Sequence, residues 1–101
     1  MNTLTLKKYK SAKAWVKAEY PELFTRPMAI GMQKELIKAK PVYIEKKQIS
    51  KLLYNESRKK SYLRALTENS TRYHLDGSVM GVVPEKHKLR AQDILSEAEN
   101  E

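Results

Sequence analysis

Between residues 11 and 20, Ala12, Trp15, Val16 and Tyr20 recur at i, i+3, i+4 and i+8. That spacing puts them on one face of a helix, with Lys13 and Lys17 on the other. Ser11 can cap its start, and Pro21 ends it by pushing Tyr20 out of the α region. Leu23 and Phe24 then tuck under the domain, and Arg26-Pro27 reads as a turn. A second helix is predicted over about 30–38, with Met32, Leu36 and Ile37 facing inward, and Pro41 closes that region. A third runs from about Glu45 to Tyr54 on Ile49, Leu52 and Leu53. A break at Asn55 or Ser57 opens a fourth, about 58–66, whose apolar side is Tyr62, Leu63 and Leu66. Beyond a polar stretch from Thr67 to Thr71, the pattern changes. Arg72-Tyr73-His74-Leu75 and Ser78 to Val83 flank Asp76-Gly77, which supplies the positive φ that a tight hairpin turn demands. Pro84 suits the first turn of a last helix, about 84–98, built on Leu89, Ile94 and Leu95. The expected fold class is α+β, mostly helical with one small β-hairpin. A lone hairpin is marginal in water, so this one must pack on helices.

The length of 101 residues fits one small domain. We divide it into a basic N-terminal segment (1–10), a folded domain (11–95) and an acidic tail (96–101). The formal net charge is +8, but it is uneven. All 20 basic residues and eight of the acidic ones lie in residues 1–90, a net of +12, whereas residues 91–101 carry Asp93, Glu97, Glu99 and Glu101 and no Lys or Arg. The basic residues cluster as Lys7, Lys8, Lys10, Lys13 and Lys17, then Lys34, Lys38, Lys40, Lys46, Lys47 and Lys51, then Arg58, Lys59, Lys60 and Arg64. Charges this dense repel one another. A polyphosphate partner converts that repulsion into attraction and releases counterions. A solvated Lys-rich surface is the plainer reading of the same residues.

Candidate chemistry is sparse. With no cysteine there is no disulfide framework, thiolate zinc site or cysteine nucleophile, which fits a cytoplasmic location. No apolar run approaches the ~20 residues that span a bilayer, and no secretory signal is expected at the start. His74 and His87 have no helix-ligand spacing, and Gly31, Gly77 and Gly81 build no phosphate loop. We therefore expect no enzyme, no metal and no cofactor, and read His87 as a partly buried structural histidine. Arg58, Lys59, Lys60, Tyr62 and Arg64 combine cations with an aromatic ring that can stack on a base. Tyr62 reads equally as a core aromatic with a wet edge. Arg72 can grip phosphate in a bidentate way, or pair with Asp76 or Glu68 within the fold.

Four segments in order look familiar. The first is Ala14-Trp15-Val16 through Tyr20-Pro21-Glu22-Leu23-Phe24, and the second Arg26-Pro27-Met28-Ala29-Ile30-Gly31. The third is Tyr62-Leu63-Arg64-Ala65-Leu66 followed by Arg72-Tyr73-His74-Leu75-Asp76-Gly77, and the fourth the spacing of Gly81, His87, Ala91 and Leu95. Together they resemble the ProQ/FinO family of bacterial RNA-binding domains, from about Ala12 to Leu95. The resemblance implies a FinO-like domain and an RNA chaperone for structured small RNAs and mRNA 3′ ends, acting in post-transcriptional regulation. Members of the family prefer a terminator-like hairpin followed by a single-stranded U-rich tail. A-form stems hide their base edges, so such a protein grips phosphates and reads the frayed end.

On this resemblance Tyr62 and Arg72 fall on the family's RNA-contacting tyrosine and arginine, Lys46 on a basic family position and Arg26 on the Arg-Pro arginine. With Lys47, Lys51, Arg58 and Lys59 they form the expected RNA-binding set. The chain departs from the family at Ser50, where an arginine is usual and Lys51 stands next door. It departs again at Glu56-Ser57-Arg58-Lys59, at Ala29 in place of a lysine, and at His74 in place of an acidic residue. It looks like a minimal member, without the basic linker and second small β domain of many relatives, and a monomer is the default. The alternatives are a DNA-binding or plasmid-control factor, which no helix-turn-helix glycine signal supports, and a basic protein-interaction module.

Overall fold

The computed structural model describes residues 9–99. It consists of helices α1 (Ala12–Glu19), α2 (Met32–Ala39), α3 (Lys46–Ser57) and α4 (Lys60–Glu68), strands β1 (Thr71–Tyr73) and β2 (Val79–Val82), and helix α5 (Glu85–Glu99). Five helices and one antiparallel hairpin make the α+β class that the sequence predicts. Among the described residues no helix is long and apolar enough to cross a membrane.

The helices start and stop for local reasons. Ser11 Oγ accepts the Ala14 N–H at 3.1 Å and caps α1. The chain leaves α1 at Tyr20, next to Pro21, and Trp15 meets the Tyr20 ring edge-on with centroids 5.6 Å apart. α2 begins two residues later than its periodicity predicts. Gly31 sits at φ +89°, a left-handed conformation that costs a residue with a Cβ about 1–2 kcal/mol, and it breaks the chain between Ile30 and Met32. Ile30 is therefore exposed. Gln48 Oε1 accepts the Glu45 N–H at 2.8 Å at the head of α3. α3 outlasts the expected break and reaches Ser57, with Arg58 as its C-cap and Lys59 as the N-cap of α4.

A main core gathers Trp15 and Val16 of α1, Met32 and Leu36 of α2, Ile49 and Leu52 of α3, and Tyr62 of α4. A smaller one joins Leu63 of α4 to Ala91 and Leu95 of α5. The buried row of α5 differs from the one its apolar residues predict. Leu89 and Ile94 are exposed, and α5 is buried along Ala91 and Leu95, four residues apart. A helix that packs against a single neighbour buries one narrow row, and apolar residues off that row stay in water.

The hairpin pairs Thr71 with Val82, Arg72 with Gly81 and Tyr73 with Val79, so a bulge takes up Met80. Its loop is Leu75-Asp76-Gly77. His74 N–H donates to Ser78 O at 2.8 Å and Gly77 N–H to His74 O at 2.9 Å, with Gly77 at φ +90°. This is a three-residue connection whose last position takes the glycine. Asp76 Oδ1 accepts both the N–H (2.9 Å) and the hydroxyl (2.6 Å) of Ser78, and these bonds hold its carboxyl below the usual aspartate range. Glu35 on α2 ties the loop down. Its carboxylate meets His74 Nδ1 at 2.9 Å and accepts the Leu75 N–H at 2.9 Å.

The segment read as an Arg26-Pro27 turn is more than that. Pro27 to Ala29 lie along the free edge of β1, with Tyr73 N–H donating to Pro27 O (3.0 Å) and Ala29 N–H to Tyr73 O (2.8 Å). This third run of backbone covers one hairpin edge and places Met28 at the junction of α3, α4 and β1.

Candidate nucleic-acid interface

Met28 is held at both of its backbone polar groups. Its N–H donates to the Tyr62 hydroxyl at 2.9 Å in a buried contact. Its carbonyl accepts from Arg72 Nη1 at 2.6 Å. Arg72 Nη2 reaches His87 Nδ1 at 3.1 Å. A guanidinium only donates, so Nδ1 accepts and the imidazole proton belongs on Nε2. Arg72 thus joins the 27–29 segment to α5 and pairs with neither Asp76, which Ser78 occupies, nor Glu68. Its Nε is buried with no partner. His87 is half-buried and structural, as its position suggests.

Tyr62 is 4% exposed, so its ring faces the core and offers no surface to a base. Burial pushes its hydroxyl above the ordinary tyrosine pKa, against the opposing pull of the Met28 N–H and the Arg72 cation. Of the two readings open for Tyr62, the packing matches the core aromatic.

These groups form one end of an open cavity of about 520 Å³. Met28, Ala29 and Gly31 to Gln33 supply one wall, Ser50, Leu53, Tyr54 and Ser57 of α3 another, and the buried Tyr62 and half-buried Arg72 the floor. No carboxylate lines it. Three other cavities of the described chain carry acid: Glu19, Glu22 and Asp76 in one of about 240 Å³, Glu35 and Asp76 in one of about 290 Å³, and Glu56 in one of about 420 Å³. In a chain with eight acidic residues before residue 91, this cavity is free of acid and contains Arg72. An anion meets no carboxylate in its lining.

The expected cations divide into those near this cavity and those bound elsewhere. Lys46 precedes Ser50 by four residues and so shares the cavity face of α3. Lys47 and Lys51 project roughly 100° further round, in an exposed row beside Tyr54. The Lys47 contact to Glu45 is 3.9 Å and solvent-exposed, and contributes little. Arg58 extends this row, with its guanidinium 5.0 Å from the Tyr54 ring centroid. Lys59 is engaged differently, with Nζ 2.6 Å from Glu56 Oε2, a carboxylate only 10% exposed. Arg26 lies outside the cavity. It stacks on Tyr73 at 4.3 Å and meets Glu22 at 3.3 Å, in the acid-lined hollow by Gly77.

Two of these contacts have a local signal in the sequence. Glu56 and Lys59 stand at i, i+3 and Tyr54 and Arg58 at i, i+4, both spacings at which side chains meet near a helix end.

Helices arranged this way around a single hairpin form a FinO-like fold. A crystal structure of a FinO-like RNA chaperone from Neisseria meningitidis MC58 matches with a TM-score of 0.74 and 28% identity, covering 85% of this chain and 72% of that one. The sequence model of the ProQ/FINO family matches residues 6–101, and the chain belongs to that family. No curated protein matches the chain in sequence.

Proposed function

We propose that this chain is an RNA-binding chaperone that takes structured small RNAs and mRNA 3′ ends, acting in the cytoplasm as a monomer in post-transcriptional regulation. Family membership and the likeness to a FinO-like RNA chaperone support RNA as the partner. The observation that carries the reading is the acid-free cavity with Arg72 in its floor, beside the lysine row of α3. Stem phosphates run along Lys46, Lys47, Lys51 and Arg58, and the single-stranded end of the RNA enters the cavity. Arg72 keeps guanidinium N–H groups beyond its two bonds, and these serve the terminal phosphate or ribose. Tyr62 positions that wall through Met28 and makes no stack of its own. Lys59 and Arg26 add long-range charge only, because Glu56 and Glu22 hold them.

An electrophoretic shift with a terminator hairpin carrying a single-stranded U tail tests this reading. Binding weakens with salt at a log–log slope of roughly −0.7 to −0.9 per phosphate neutralised, and removing the tail weakens it further. Equal affinity for tailed and blunt hairpins overturns the 3′-end reading. Preference for duplex DNA over the hairpin overturns the RNA reading.

A further inference from the structure

We infer that Tyr54 is the platform on which an unpaired nucleobase of the bound RNA stacks, with Arg58 fixing the ring. The inference rests on the RNA-binding reading above. A base needs an accessible aromatic face next to cations that take its phosphate. The other five tyrosines face the core, as Tyr62 does, or do not line this cavity. Tyr9 donates its hydroxyl to Glu19, Tyr20 packs on Trp15, and Tyr43 accepts the Tyr9 N–H. Tyr62 is buried, and Tyr73 lies under Arg26 beside the acid-lined hollow. Tyr54 is 62% exposed and lines the acid-free cavity.

Its place on α3 suits the task. At about 100° per residue, Tyr54 falls between Ser50, on the cavity side, and Lys47, Lys51 and Arg58 on the basic row. A base lying on this ring has its sugar–phosphate over the cations and its edge toward the neutral lining, where Ser50 and Gln33 supply hydroxyl and amide groups. The Arg58 guanidinium at 5.0 Å holds the ring by a cation–π contact and leaves most of it open to solvent. Stacking on the exposed Tyr54 ring then adds to the phosphate contacts of the basic row beside it.

Wild type, Tyr54→Ala and Tyr54→Phe are compared on two RNAs, a hairpin with a single-stranded 3′ tail and the same hairpin cut blunt. The tail carries 2-aminopurine at successive positions, whose fluorescence falls on stacking. Because Tyr54 is exposed, all three proteins keep the same helical ellipticity. The expected result is quenching at one tail position by wild type and Tyr54→Phe. Tyr54→Ala loses that quenching and about 5- to 100-fold in affinity for the tailed RNA, with blunt-hairpin affinity unchanged. Wild-type affinity in Tyr54→Ala, or equal losses on both RNAs, overturns the inference while leaving the RNA-binding reading standing. Failure of wild type itself to bind the tailed hairpin overturns both.

Discussion

Replacing Tyr62 by phenylalanine removes one oxygen and tests the architecture of the cavity. In the folded chain that oxygen accepts the Met28 N–H at 2.9 Å in a buried position. Phenylalanine keeps the ring and its packing, so no large hole forms. What remains is a buried N–H without an acceptor, which costs about 1–3 kcal/mol. For a domain of this size each kcal/mol moves Tm by about 4–8 °C, so the expected fall is roughly 5–20 °C. Thermal unfolding followed by circular dichroism measures it. A second signature comes from pH. Burial raises the Tyr62 pKa above its unfolded value of about 10, so its stabilising contribution is complete below that pH and is lost as pH rises through the folded pKa. Wild type therefore loses stability on the alkaline side, and Tyr62→Phe loses correspondingly less. The same change frees one end of the Met28 peptide, whose carbonyl holds Arg72, so RNA affinity falls as well. An unaltered Tm would show instead that the Met28 N–H does not depend on the hydroxyl.

Other variants test separate parts of the fold. Lys59→Ala strands the nearly buried Glu56 carboxylate and lowers stability by about 1–3 kcal/mol in urea unfolding, and adding Glu56→Ala recovers most of it. Gly31→Ala forces a Cβ into the left-handed region and costs about 1–2 kcal/mol in the same assay. Lys46→Ala with Lys51→Ala weakens hairpin binding and reduces the log–log salt slope by about 1.4–1.8 if each lysine neutralises one phosphate. Asp76 is held below its usual pKa by Ser78, so its contribution is present above the unfolded value and is lost as pH falls through the folded one. Ser78→Ala moves the Asp76 carboxyl resonance titration back up toward the ordinary aspartate range.

The parts of the fold written in short-range spacing were legible from sequence. Ser11 before an i, i+3, i+4 stripe and Pro21 after it mark α1 almost to the residue. Asp76-Gly77 between two apolar runs marks the hairpin. Residues that depend on distant partners were not legible. Nothing in the order of residues says that Pro27 to Ala29 will border β1, because that pairing joins positions more than 40 apart. The exposed side of α5 was misread for a similar reason. Leu89 and Ile94 look like core until it is known that α4 is the helix α5 packs on. At the candidate site, composition identified the cations, and the i, i+3 pair with Glu56 that separates Lys59 from Lys51 on an open row was locally legible, whereas the burial of that carboxylate depends on the tertiary fold. Tyr62 was singled out for stacking because it is aromatic amid cations. The exposed ring at that cavity, Tyr54, sat unnoticed at the end of an amphipathic helix.

The double hold on Met28 bears on the thermodynamics of binding. One peptide N–H is fastened to α4 and the carbonyl of the same residue to β1, and through Arg72 to α5. The floor of the cavity is thereby fixed during folding, before any ligand arrives. A ligand entering it has little backbone to order, and the unfavourable entropy that flexible loops add to binding is largely absent at this position. The free and RNA-bound chains are then expected to superpose closely at residues 27–29.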